Sequence, residues 1–257
     1  MEGIIGESQV AFVGGRQLVD SVLVLNEVVH EVKWRKQESF ILKANFEKVY
    51  DSVDWGFLDW MMDSMGFGTK WRKWMWECLS TVRIFILINR SSTTEFPVSN
   101  GLRQGDPLSP FLFFLVAEGL SGLVKKAESK GLLKGVEIGR RGMVLSLLQF
   151  ADDTVFMGKA DVENLWVVKA ILNWFELISG LKINFCKSYL YGFNVLEGWL
   201  KGAADIMRCG VGKVPFNYLG LPVRGNSRRR QFWTSVLNRF RHKLTTWKTH
   251  CCPSGVE

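Results

Sequence analysis

Cysteine and histidine are scarce in this 257-residue chain, and neither is spaced for metal work. The five cysteines, Cys78, Cys186, Cys209, Cys251 and Cys252, form no Cys-x-x-Cys pair. The run His250–Cys252 stands alone, without a second pair to complete a zinc site. This pattern predicts a reduced, intracellular protein, nuclear or cytoplasmic, without structural zinc. No basic segment followed by an apolar one opens the chain, so a secretory signal is not expected. The longest apolar stretch, "PFLFFLVAEGL", is interrupted by Glu118 well short of a membrane span. A Gly-x-x-x-x-Gly-Lys-Ser/Thr loop is missing, which excludes a P-loop nucleotidase. Tandem repeats and low-complexity linkers are also missing, so we expect no second full domain.

What is present is a sizeable core and a basic surplus. Hydrophobic residues make up 47% of the chain and aromatics 13%, with a formal net charge of +8. Part of that charge crowds near the end, at Arg228, Arg229, Arg230, Arg239, Arg241, Lys243 and Lys248, interleaved with aromatic residues. Such a balance suits a polyanionic partner.

The apolar pattern gives the element order. Leu18, Val22, Leu25, Val29 and Val32 step by three and four, predicting a helix from Arg16 to Arg35. "SFILKANF" follows as a strand, then two short helices with Asp54 and Thr69 as N-caps. "RIFILIN" and "TEFPV" read as a hairpin. Ser109 as N-cap and Pro110 at the first helical position open a long helix. It carries Leu112, Leu115, Val116, Leu120, Leu123 and Ala127 on one stripe and stops at Gly131. Two strands, Met143–Phe150 and Thr154–Met157, flank Asp152 and Asp153. A helix ending at Gly180 and a strand over "LKINFCKSYLYG" complete the series.

Strand, helix, strand-hairpin-strand, helix, strand is the order of a ferredoxin-like βαββαβ unit, an α+β architecture. In that unit the first strand lies beside the central hairpin. The end of "SFILKANF" is then expected next to Asp152 and Asp153. Two adjacent carboxylates in an apolar run have a bland reading as a turn and a sharper one as a cation site. A third ligand from the first strand would favour the second.

Six segments in order carry a resemblance: "AFVGGRQ", "LKANFEKVYDSVDW", "GLRQGDPLSPFLF", "LQFADDT", "SGLKINFCKS" and "YLGLP". From Ser8 to Lys248 the chain resembles the reverse transcriptase domain of plant non-LTR (LINE-type) retrotransposons. The resemblance implies a right-hand polymerase, with partial fingers and palm over residues 1–222 and a truncated thumb beginning at 223–257. It implies copying of an RNA template into DNA from a primer, with deoxynucleotides as substrates and two magnesium ions as cofactor. Asp152 and Asp153 resemble the metal-holding carboxylates of the palm hairpin. Gln104 and Gly105 resemble the loop that positions nucleotide and template, and Tyr50 the gate against a 2′-hydroxyl. Lys187, with Lys182 second, resembles the lysine near the leaving pyrophosphate. Arg16 falls in the fingers near the template, and Tyr218–Pro222 resembles the primer grip.

One departure matters most. The family's first catalytic motif has Asp where "KANFEKVYD" has Asn45. A neutral amide in place of a carboxylate removes part of a cation's charge complement, roughly two to four decades of rate. Asp51 and Asp54 lie too far along the chain to substitute. Val49 stands where Ala is usual and Gly15 where Pro is common. The expectation is a degenerate copy of the enzyme with impaired activity, or a remnant that binds nucleic acid without catalysis. A working enzyme in which Asn45 still holds metal is the third reading.

Overall fold

The computed structural model describes residues 18–139 and 142–223, together with 234, 237, 238 and 240–244. Helix α1 (Leu18–Trp34) leads into β1 (Ser39–Ala44), a single turn α2 (Val49–Ser52), and helices α3 (Trp55–Ser64) and α4 (Thr69–Ser80). Four two-residue strands follow, β2 (Arg83–Ile84), β3 (Leu87–Ile88), β4 (Ser91–Ser92) and β5 (Phe96–Pro97). The long helix α5 (Ser109–Ser129) precedes β6 (Val136–Ile138), β7 (Met143–Leu145), β8 (Leu147–Phe150) and β9 (Asp153–Lys159). Helix α6 (Val162–Ser179), β10 (Tyr189–Phe193), α7 (Glu197–Met207), β11 (Gly210–Val211), β12 (Phe216–Tyr218) and β13 (Leu221–Val223) complete it.

The main sheet has the order β11-β10-β1-β9-β8. Without the short β11, this is the 4-1-3-2 order of the expected βαββαβ unit, with every neighbour antiparallel. Strand β1 is central and buried on both sides, because successive side chains point to opposite faces. Phe40, Leu42 and Ala44 join Phe156 and the apolar sides of α3, α5, α6 and α7 in one core. Ile41 joins Val155, Met157, Tyr191 and Phe193 in a second core under α1 and the β12–β13 hairpin.

Four local expectations are corrected. The cap of α4 is Gly68, not Thr69, which begins the helix. The cap of α5 is Leu108, not Ser109. The Asp106 carboxylate accepts the Leu108 N–H at 2.9 Å and starts the helix one residue early. The Ser109 hydroxyl is left to donate to the Arg103 carbonyl at 2.6 Å. The run Met143–Phe150 is two strands that divide at Ser146; β7 turns aside to pair with β6, while β8 stays on β9. Finally, "LKINFCKSYLYG" is extended only from Tyr189. Residues 181–188 wrap the end of β1 instead, through a Phe46–Ile183 bridge and a 3-10 turn at Phe185–Lys187.

Candidate active site

Pairing of Phe150 with Asp153 leaves Ala151 and Asp152 as the two loop residues of the β8–β9 hairpin. Ala151 has φ 53°, at the first central position where tight hairpin turns require positive φ and usually take Gly. Asp152 is exposed at the tip, and Asp153 is partly buried at the start of β9. Burial raises the Asp153 carboxyl above its ordinary pKa, Lys43 opposes this, and the Asp152 charge adds to it. Lys43 Nζ lies 3.8 Å from Asp153 Oδ1.

Strand β1 brings Asn45 to the same place. The ladder pairs Lys43 with Val155 and Ala44 with Thr154. One further step sets Asn45 across from Asp153, and alternation puts Lys43, Asn45 and Asp153 on one face. The backbone of Asn45 is fully used: its N–H donates to Ser188 Oγ at 3.1 Å, and its carbonyl accepts the Asn184 N–H at 2.7 Å. Its side chain is exposed. Two carboxylates and an amide oxygen are hard donors of the kind magnesium accepts. A cation there would also offset the burial of Asp153 beside a like charge. Asp54 is committed elsewhere, since its carboxylate accepts the Phe57 N–H at 2.7 Å and caps α3.

The same lacing places the lysines. Glu47 N–H donates to the Lys182 carbonyl at 2.8 Å, and Asn184 Oδ1 accepts the Lys187 N–H at 3.0 Å. Both lysine side chains are exposed on the segment that clasps the end of β1. This segment's role was not legible in the sequence; the polar Asn184 and Ser188 beside apolar Ile183 were its only sign.

Tyr50 sits on α2, its ring 5.6 Å from that of Phe113. Burial, then the Asp152 charge, raises the pKa of its phenol, so the hydroxyl lies within the field of the carboxylate turn. Its carbonyl accepts the Leu102 N–H at 2.5 Å, tying α2 to the loop that carries Gln104 and Gly105. Gln104 is exposed, and Gly105 has φ 85° with open space around its Cα. Arg103 and Asp106 pair at 2.7 Å beneath them. This loop, Trp55, the end of α4 and Arg83–Ile84 line a cavity of about 540 Å³. Arg16 lies outside the described residues.

Residues 2–223 match the family described as "Reverse transcriptase (RNA-dependent DNA polymerase)". The chain belongs to that family. Among its relatives, a 149 kDa protein of transposon TX1 from Xenopus laevis is 26% identical over 198 residues, covering 77% of this chain. The Pol polyprotein of the R2 retrotransposable element from Popillia japonica is 27% identical over 172 residues, 66% of this chain. An uncharacterized mitochondrial protein of Arabidopsis thaliana is 35% identical over 114 residues, 42% of this chain and 88% of that protein. The chain spans only 14% of the Xenopus protein and 23% of the Popillia one. Telomerase from Candida albicans, solved with a fragment of telomeric RNA, superposes with TM-score 0.60 at 12% identity over 91% of this chain. The match covers 38% of that telomerase chain. This reverse transcriptase domain therefore has the palm of a right-hand polymerase and is of the non-LTR retrotransposon type. Among the described residues, no helix is long and apolar enough to cross a membrane.

Proposed function

We propose that this domain descends from an enzyme that copied RNA into DNA by extending a DNA primer with deoxynucleotides, in a plant LINE-type element, and that Asn45 impairs it. The observation that supports the reading is the register of β1 on β9, whose ladder ends with Ala44 opposite Thr154, one residue short of Asn45 and Asp153. Asp152 and Asp153 would hold magnesium, with Asn45 offering a neutral oxygen. When bound, the metal supplies activation of the attacking hydroxyl and neutralises triphosphate charge.

The chain's own groups do the positioning. Tyr50, held between Phe113 and the Leu102 amide, presents an aromatic wall that excludes a ribose 2′-hydroxyl. Gln104 faces the base pair being formed, and the backbone at Gly105 permits close approach. Lys187, on the clasp around Asn45, meets the leaving pyrophosphate, with Lys182 as the alternate. Residues 1–222 serve as fingers and palm, with Arg16 toward the template, and 223–257 begin the thumb.

Primer extension on an RNA template with magnesium, comparing this protein with Asn45→Asp, tests the reading. The variant is expected to extend at least about 100-fold faster. Equal and rapid extension by both would show that Asn45 does not impair the site. Failure of both would remove catalysis and leave the second reading. That reading, a nucleic-acid-binding remnant, is favoured by the net charge of +8 alone.

A further inference from the structure

The β12–β13 hairpin carries "YLGLP", yet it is a separate two-stranded sheet with no ladder to the main one among the described residues. Leu219 and Gly220 both have positive φ, 51° and 81°, the signature of a tight two-residue hairpin turn. Its base is held by packing: the Phe216 ring stacks on Tyr191 with centroids 4.0 Å apart. Toward the carboxylate turn its ties are different. Lys43 Nζ donates to the Asn217 carbonyl at 3.2 Å while standing 3.8 Å from Asp153 Oδ1. The Tyr218 hydroxyl, on a side chain with no exposed surface, donates to the Asp153 carbonyl at 3.4 Å. Two side chains therefore reach between the hairpin and the hairpin of carboxylates, and one of them carries a positive charge.

We propose that Lys43 and Tyr218 latch the β12–β13 hairpin to the Asp152–Asp153 turn, with Lys43 a positioning residue shared between hairpin and carboxylate. The purpose assigned to the latch, setting a primer end against the metal-holding carboxylates, rests on the polymerase reading above. Its two hydrogen bonds do not, whereas the competition with metal rests on the carboxylates holding a divalent ion. The ammonium is a fixed cation at the mouth of the carboxylate pair, so it competes with a divalent ion for Asp153. The same ammonium bonds the hairpin backbone, a charge-assisted contact stronger than a neutral one. Removing it has two opposite effects: the carboxylates bind metal more tightly, and the hairpin loosens. A lysine that only filled space would give the second without the first. Tyr218 is neutral, so loss of its hydroxyl loosens the hairpin alone.

The test needs no catalysis. Lys43→Met, Lys43→Arg and Tyr218→Phe are compared with the parent chain by Mn²⁺ titration followed by electron paramagnetic resonance, and by amide hydrogen exchange. Lys43→Met is expected to bind Mn²⁺ about 3- to 10-fold more tightly, a range kept low because Lys43 and Asp153 are partly exposed. Exchange across 216–223 is expected to speed about tenfold or more, with β10 unchanged as the internal control. Lys43→Arg restores both values toward the parent. Tyr218→Phe speeds exchange at 216–223 and leaves Mn²⁺ affinity alone. Unchanged exchange at 216–223 in Lys43→Met would overturn the latch. Faster exchange with unchanged Mn²⁺ affinity would reduce Lys43 to packing and overturn its positioning role. An Asp152→Asn chain that binds Mn²⁺ as well as the parent would sink the polymerase reading, and the exchange result would still decide the latch.

Discussion

Burial raises the pKa of Asp153, Lys43 draws it down in part, and Asp152 pushes it up again. A carboxylate whose folded pKa is raised costs stability once ionised. Below the unfolded value, about 4, it is protonated in both states and costs nothing. The cost grows as pH rises through the folded value and is complete above it. Asp153→Asn is therefore expected to raise the melting temperature of the metal-free protein at pH 7–8. The rise should be on the order of 1–2 °C, small because Asp153 is partly exposed and Lys43 already screens it. The gain should vanish as pH falls toward 4. Melting curves of both chains across that range check it, and a variant less stable at pH 8 would mean that the Lys43 contact outweighs the burial. The proposed chemistry runs the other way, since in that reading the same substitution removes a metal ligand. Tension between stability and function at one residue is what a cation site predicts and a plain turn does not.

At the scale of elements, the end of α6 lies close against α2, the turn that carries Tyr50. Gly180 ends α6 at φ 75°, and a Cβ there would come close against the Ser52 carbonyl, two residues from Tyr50. Gly66 has φ 80° but open space around it. Gly66→Ala thus meets only the conformational cost, about 1–2 kcal/mol, or roughly 2–8 °C. Gly180→Ala adds a clash with backbone and should lose clearly more, about 8 °C or beyond. Equal losses in the two variants would mean that α2 yields freely.

The sequence made Gly180 visible as a helix stop, and the apolar periods made β1, α5, α6 and the carboxylate hairpin visible too. It did not reveal the clasp at 181–188, because Leu181 and Ile183 alternate like a strand while they plug the core beneath β1. Helix α7 escaped for a different reason: Gly198 and Gly202 weaken the helical signal of an 11-residue segment. Asn45 and Asp152–Asp153 could be brought together from element order alone. The Lys43 and Tyr218 contacts could not, because 174 residues separate Lys43 from Asn217.

At the scale of the whole molecule, the +8 net charge tests the two functional readings together, through the salt dependence of binding. Both readings place a phosphate backbone on the protein. Each contacted phosphate releases condensed counterion, so log affinity falls linearly with log salt, at about −0.7 per contact on a single strand. Four or five contacts then predict a loss of about 50- to 130-fold in RNA affinity between 50 and 200 mM salt. A filter-binding or anisotropy titration with a short single-stranded RNA at several salt concentrations measures the slope. A steep slope that Asn45→Asp leaves unaltered, while it restores extension, describes an enzyme silenced at one residue whose binding surface is intact. A steep slope without extension in either chain describes the binding remnant. A flat slope, or no binding at 50 mM salt, would remove both readings at once, because neither survives without a hold on the template.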